Sequence, residues 1–378
     1  MDELRRDPRR ILVTGAAGNV GRYVVRELAA HGHVVLATDL RFPFRAKWTR
    51  WHFAASGPRA NVEFHPADLT DVDSIATVLR QTRPQVIIHL AAVIPPFTYE
   101  DPELSHHVNV DGTRNLVHEA QRLAVAPYFI QASSMAVYGA RNPHRHQGPL
   151  EPHTPTRPTE IYGAQKLAAE QVVRSSSLDW SILRLGGVLS PDISLSRDRS
   201  LVAMEGSLPL DGRVHTVAVE DVAVAFEQAT ALRPVGDIFM IGGDRTHRLY
   251  QHEVGEGLTA AMGLRGVLPT GRPGDPEDDR TWFVTDWLDT LQSQQILKYQ
   301  RRSFDDVLMQ IRRKVGWRRW IFALLSPLAR RWLARSAPYV GQPGRYADPW
   351  SIIAVRWGWP LLEPDPNRRA DQAGSVRR

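Results

Sequence analysis

Over roughly the first 240 residues, short apolar, β-branched runs alternate with longer stretches whose apolar positions recur at helical spacing. Ile11-Leu12-Val13-Thr14 opens the pattern and reads as a buried strand. Val34–Ala37, Val62–Phe64, Val86–Leu90, Tyr128–Gln131, Ser181–Leu183 and Asp237–Ile241 repeat it. Between them, Val24, Val25, Leu28 and Ala29, then Asp71–Gln81, Val108–Leu123, Glu160–Ser175 and Val219–Leu232, carry the three-to-four-residue spacing of helices packed on one face. Regular alternation of this kind predicts an α/β fold, a doubly wound parallel sheet covered on both sides. After Gly187 the rhythm loosens. Gly187–Val214 and Gly242–Arg280 are rich in Gly, Pro and charge, and predict a smaller discontinuous lobe; Pro269–Asp279 reads as a surface loop.

Composition narrows the classes. The 378 residues, 43% hydrophobic and 23% charged, exclude wholesale disorder and a polytopic membrane protein. The chain has no cysteine, which excludes disulfides, thiolate metal sites and cysteine nucleophiles. The charged start MDELRRDPRR lacks an apolar signal core, so a cytoplasmic address is expected. The net charge of +6 is uneven: between Lys298 and Arg335 eleven Lys/Arg face only Asp305 and Asp306. Eight of the eleven tryptophans lie at or after Trp282, so charge and aromatics both mark a change of character in the last quarter.

The chemistry concentrates in three places. Gly15-Ala16-Ala17-Gly18-Asn19-Val20-Gly21 follows a strand and opens a helix, where glycines admit a pyrophosphate to free backbone N–H groups. Asp39 ends the second strand, positioned to accept both ribose hydroxyls of an adenosine and to repel a 2′-phosphate; NAD is expected over NADP, with Arg41 nearby to soften the choice. Asp68 and Leu69, after the third strand, are placed to reach the adenine. Tyr162 and Lys166 stand at i and i+4, on one helix face, where an ammonium favours a phenolate. Ser133 and Ser134 close the fifth strand, at the sheet end where ligands bind; a loop-capping role suits Ser133 and suits Ser134 less.

Taken together, TGAAGNVG (14–21), Asp39, ADL (67–69), HLAA (89–92), NVDGTRNL (109–116), SSMAVYG (133–139), YGAQK (162–166), LRLGGV (183–188) and VEDVA (219–223) resemble the extended short-chain dehydrogenases/reductases, the group of NAD-dependent epimerases and dehydratases. The resemblance runs from about residue 9 to 314. It implies a Rossmann core over 9–186 and 217–241, a substrate lobe over 187–216 and 242–314, and an extension over 315–378. It implies Tyr162 as the acid/base, Lys166 as its activator and the holder of the nicotinamide ribose, and Ser134 as a donor to the substrate oxygen. Gly15, Gly18, Asn19, Val20 and Gly21 would cradle the pyrophosphate, and Ala91 and Ala92 would line the cofactor channel. Asn109 matches a structural asparagine of the family. Two positions depart from nucleotide-sugar epimerases: Gly187 replaces a frequent asparagine, and Val214 a frequent arginine, with Arg213 adjacent.

The implied activity is hydride transfer at a secondary alcohol or carbonyl of a sugar nucleotide or related polar substrate. The alternatives are a reductase for lipophilic carbonyls at a membrane surface, or a dinucleotide-binding scaffold subunit. The loop 142–158, with His144, His146 and His153, is expected at the substrate entrance, and its spacing fits no metal site. Beyond the resemblance, Val315–Leu333 is arginine-flanked and Trp-rich, too short to span a bilayer and interrupted by Pro327; a second Trp-rich patch covers Trp350–Leu362. These segments predict either attachment to an anionic membrane or packing on the core, a partner protein or a second copy of the chain. Nucleic acid is not expected, since no recognised module accompanies the charge.

Overall fold

The computed structural model describes residues 8–42, 61–192, 204–268, 271–335 and 337–363. The charged N-terminal run up to Asp7, residues 193–203 and 269–270 of the looser stretches, and the tail beyond Glu363 lie outside the described residues.

The seven apolar runs become seven parallel neighbours: β1 Arg10–Thr14, β2 Val34–Thr38, β3 Asn61–Phe64, β4 Val86–His89, β5 Tyr128–Ser134, β6 Trp180–Leu185 and β9 Ile238–Ile241, in the order β3-β2-β1-β4-β5-β6-β9. Because side chains alternate along a strand, Ile11 and Val13 enter one core while Leu12 enters the other; Ile88 and Ile87, and Ile130 and Phe129, divide in the same way. Helices α1 Gly21–Ala30 and α5 Val219–Leu232 cover the first face. Helices α2 Val72–Thr82, α3 Gly112–Gln121 and α4 Ile161–Arg174 cover the second. The strand order reverses beside β1, so the carboxyl ends of β1 and β4 bound the crevice where such sheets bind ligands.

The single helix expected over Val108–Leu123 begins instead with a π-helical turn, His107–Asp111, that presents the Asn109 amide inward. A second sheet, β10-β8-β7, joins β7 Gly187–Leu189, β8 Arg213–Ala218 and β10 Arg248–Tyr250. Strand β8 hides polar residues in its core: His215 Nδ1 accepts from Leu288 N at 3.0 Å, and Thr216 Oγ1 bonds His247 Nδ1 at 2.7 Å. Helices α6 Gln251–Ala261, α7 Leu291–Leu297, α8 Phe304–Val315, α9 Arg318–Arg335 and α10 Pro349–Trp357 complete the chain. Helix α9 runs through Pro327 without stopping; Ser326 Oγ donates to the Phe322 carbonyl at 3.1 Å and satisfies one acceptor of that turn.

The two Trp-rich patches separate. In α10, Trp350, Ile353 and Trp357 are buried on the body of the chain, whereas α9 buries none of its residues. Among the described residues no helix is long and apolar enough to cross a membrane.

Beneath the carboxyl ends of β5 and β6, the fully buried Glu170 of α4 takes Arg184 Nε at 2.9 Å, Arg184 Nη2 at 2.6 Å and Ser133 Oγ at 2.6 Å. Replacing Arg184 with Met strands that carboxylate away from water. Arg184→Met is expected to cost about 3–5 kcal/mol in denaturant unfolding, and an unchanged midpoint would remove the pair from the account of the fold.

Candidate active site

Strand β1 ends in Gly15, whose φ of +67° turns the chain toward α1. A Cβ on Gly15 would stand 2.7 Å from Ala91 N, and one on Gly21 would stand 2.1 Å from Gly15 O. The loop is therefore closed on itself and on the end of β4 to a depth only glycine permits. Ala16 N donates to Thr38 O at 3.1 Å, and Gly18 N to Gly15 O at 3.0 Å. Asn19 Oδ1 accepts from Arg22 at 2.7 Å, and Val20 precedes the first turn of α1.

Asp39 stands at the end of β2, half-buried, with Oδ2 on Ala17 N at 3.0 Å and Oδ1 on Leu40 N at 2.8 Å. Burial pushes its carboxyl above the usual range, and these backbone bonds pull it part-way back. Asp68 spends Oδ1 on Thr70 N and Oγ1, at 2.8 and 2.7 Å, and Leu69 is buried under α3, where Gly112 leaves room for it. Ala91 and Ala92 lie half-buried beyond β4. A glycine cradle, a helix N-terminus and a carboxylate at the adjoining strand end are the donor and acceptor set that an adenine dinucleotide requires, so these residues fit NAD.

On the other side of the crevice, the Ser134 hydroxyl lies beside the Tyr162 phenol and caps the turn after β5 by accepting Ala136 N at 3.2 Å. Lys166 is buried; its Nζ donates to Ala132 O at 3.1 Å and lies 5.8 Å from the Tyr162 ring centre. Burial draws the ammonium down to about 8. The three residues expected to converge do so.

The expected activation of the phenol is absent in the chain alone. Burial and the Glu160 carboxylate hold the Tyr162 phenol above its ordinary value, against which the Ser134 hydrogen bond is too small. Glu160 itself carried no sequence signal, because glutamate is not among the preferred N-cap residues. It caps α4 with Oε2 on Tyr162 N at 2.6 Å and Oε1 on Gly163 N at 2.5 Å, accepts Tyr99 OH at 3.0 Å, and burial raises it to about 7.

Buried struts fix this geometry. Asn109 Nδ2 donates to Gln165 Oε1 at 2.7 Å and to Val93 O at 2.9 Å, tying the loop after β4 to α4. His89, drawn down to about 3 by burial and the nearby Lys166, is neutral and bridges Thr14 at 2.7 Å and Thr113 at 2.9 Å.

In the lobe, Arg213 gives its guanidinium to the carbonyls of His146 at 2.9 Å and Pro143 at 3.3 Å and lies over the Trp287 ring, so it braces the 142–158 loop instead of standing in for the departed arginine. Val214 is buried, and a Cβ on Gly187 would meet only ordinary contacts. His144 packs against Trp282, and among the described residues no His, Asp or Glu cluster could hold a metal ion. A depression with room for about one water molecule lies nearby, lined by Arg141, Leu208, Gln251, Trp282 and Phe283 among others.

A family model described as the NAD dependent epimerase/dehydratase family matches residues 11–205. A UDP-glucose 4-epimerase of Mycolicibacterium smegmatis is 30% identical over 285 residues, spanning 71% of this chain and 85% of that protein. A dTDP-L-rhamnose 4-epimerase of Burkholderia thailandensis is 32% identical over 286 residues, 62% of this chain and 77% of the other. Among solved structures, the UDP-glucose 4-epimerase of Thermus thermophilus in complex with NAD aligns with a TM-score of 0.64 at 25% identity, over 81% of this chain and 98% of that one. With the nucleotide cradle, the Ser134–Tyr162–Lys166 cluster and these likenesses in agreement, the chain belongs to the NAD-dependent epimerase/dehydratase family of extended short-chain dehydrogenases/reductases.

Proposed function

We propose that the chain is an NAD-dependent oxidoreductase or epimerase acting on a secondary alcohol or carbonyl of a sugar nucleotide. The observation that carries this reading is the convergence of Ser134 and Lys166 on Tyr162, with the ammonium 5.8 Å from the phenol ring centre, across the crevice from a loop shaped for a pyrophosphate. The epimerases with which the chain aligns support the substrate class. When bound, NAD supplies a reversible hydride acceptor. Tyr162 exchanges a proton with the reacting oxygen of the substrate, and Ser134 donates to the same oxygen as its charge changes. Lys166 holds the nicotinamide ribose and adds positive charge beside a phenol that burial otherwise keeps protonated. Asp39 binds the adenosine ribose through both oxygens.

A second observation concerns where the enzyme works. Trp317, just before α9, and Trp320, Leu324 and Leu328 on it are 71%, 65%, 82% and 63% exposed. The opposite side rests on the Gly263–Gly266 turn, with Ser326 Oγ 3.5 Å from Gly263 O and Arg330 Nε 2.7 Å from Gly266 O. The helix has five arginines and no acidic residue. A second copy of this face would set arginines against arginines, whereas an anionic lipid surface complements both the charge and the tryptophans. On this reading α9 lies flat on a bilayer and holds the enzyme peripherally.

Three outcomes are expected. Tyr162→Phe should lower turnover of UDP-glucose or dTDP-glucose by about 100-fold or more while NAD still binds; equal turnover by the variant would end the acid/base role. In equilibrium titration the wild type should bind NAD more tightly than NADP, and Asp39→Ala should narrow that preference; tighter NADP binding by the wild type would contradict it. The full chain should float with phosphatidylserine-rich vesicles at low salt, and Trp320→Glu with Leu324→Glu should abolish flotation. Failure of the wild type to float would dismiss the bilayer.

A further inference from the structure

Helix α4 begins on a carboxylate that is shut away from water. Glu160 is fully buried, and Tyr99, equally deep, donates its hydroxyl to Glu160 Oε2 at 3.0 Å. The same carboxylate takes the first free N–H groups of the helix, Tyr162 N at 2.6 Å and Gly163 N at 2.5 Å. It therefore grips the backbone of Tyr162 itself.

The grip is held from two sides. Ile161 N donates to Pro360 O at 2.9 Å and Leu362 N to Thr159 O at 3.2 Å, which fixes the chain on either side of Glu160. A Cβ on Gly163 would stand 2.4 Å from Ala136 O, so the first turn of α4 is pressed against the turn that Ser134 caps. The carboxylate is thereby fixed beside Tyr162.

No cation answers this charge. Among the described residues Glu160 forms no ion pair, whereas Glu170 on the same helix is paired with Arg184. Lys166 is turned to Ala132 O, and the carboxylate that supports its charge is Glu170. The titratable groups around Glu160 are Tyr99 and Tyr162. The rest of the cluster that those two rings share, from the Met135–Tyr138 turn to α10, carries no titratable group. Burial lifts Glu160 to about 7, so it is charged at the alkaline pH where phenols ionise. An unpaired negative charge in a dry place is poorly screened, and it disfavours a second anion beside it.

We propose that Glu160 is a positioning residue for proton transfer: it holds Tyr162 in place through the backbone and, by its charge, keeps the phenol an acid until positive charge enters the crevice. Tyr162 then serves as a base only beside the oxidised cofactor, whose nicotinamide carries that charge. This rests on the acid/base role of Tyr162 in the function proposed above and adds the residue that makes the role conditional.

The test is a titration of the full chain, with and without NAD, that follows phenolate absorbance in the ultraviolet after subtraction of the same titration of Tyr162→Phe. Serine and aspartate both cap helices well, so a neutral and a charged replacement separate the backbone grip from the charge. In Glu160→Ser and Glu160→Gln, two neutral variants of which either suffices if the other folds poorly, the Tyr162 phenol should ionise at a proton concentration about tenfold higher than in the wild type. Glu160→Asp should stay near the wild type. The pH–rate profile with UDP-glucose should move in the same direction as the phenol. Equal midpoints in the neutral variants and the wild type, no Tyr162 phenolate in the neutral variants, or equal displacement in Glu160→Ser and Glu160→Asp overturns the proposal. If the NAD-bound wild type turns over no sugar nucleotide, the substrate class fails, while the phenol titration still decides the role of Glu160.

Discussion

The Glu170 carboxylate, shut away from water, is where helix α4 and the sheet are joined. It holds Arg184 of β6 through two nitrogens and Ser133 of β5 through a hydroxyl. Arg184 passes its remaining reach to Tyr138 OH at 2.6 Å. Glu170 lies one turn beyond Lys166 on α4, so the ion pair sets how far Tyr162 and Lys166 stand from the end of β5. A charge so deeply buried is tolerable only when it is paired and hydrogen-bonded, and its partners are Arg184 of β6 and Ser133 of β5. Ser133 is thereby absorbed into the frame, while Ser134, one residue on, caps the next turn with its hydroxyl beside the phenol.

Around that joint, the site has two halves with different physics. The nucleotide half is a backbone device: glycines, a helix N-terminus and Asp39, with the protein's own hydrogen bonds already lacing the loop to β2 and β4. The chemical half is a side-chain device in a poorly solvated place, where Glu160, Lys166 and His89 are each displaced from ordinary proton affinities by burial. The phenol is at rest in its protonated state because burial and a neighbouring carboxylate outweigh the Ser134 bond. Positive charge brought into the crevice would oppose both.

Much of this was legible in the chain. Each apolar run became a strand because buried parallel strands read as uninterrupted β-branched residues, and the turn from β1 to α1 was visible because the close approach of Ala91 admits only glycine. The nearness of Tyr162 and Lys166 followed from their spacing, and the position of Asp39 from its place at a strand end. What stayed hidden did so for physical reasons. Strand β8 carries His215 and Thr216 in its core, satisfied by partners far along the chain, so its pattern looks polar. Glu160 is an unusual cap whose partners include Tyr99, a residue from another segment. The two Trp-rich patches look alike in composition and part company only in packing: α10 buries the face with Trp350, Ile353 and Trp357, and α9 buries none of its residues.

The pairing of Glu160 with Leu361 also bears on the birth of the enzyme. A nascent chain can close its parallel sheet once β9 has left the ribosome, yet Thr159 and Ile161, which flank the cap of α4, wait for backbone partners about two hundred positions downstream. Contacts of such sequence separation form late and slowly. Translation that stalls before Leu362 would therefore release a molecule whose parallel sheet and glycine loop are formed while the backbone leading into Tyr162 is still unheld.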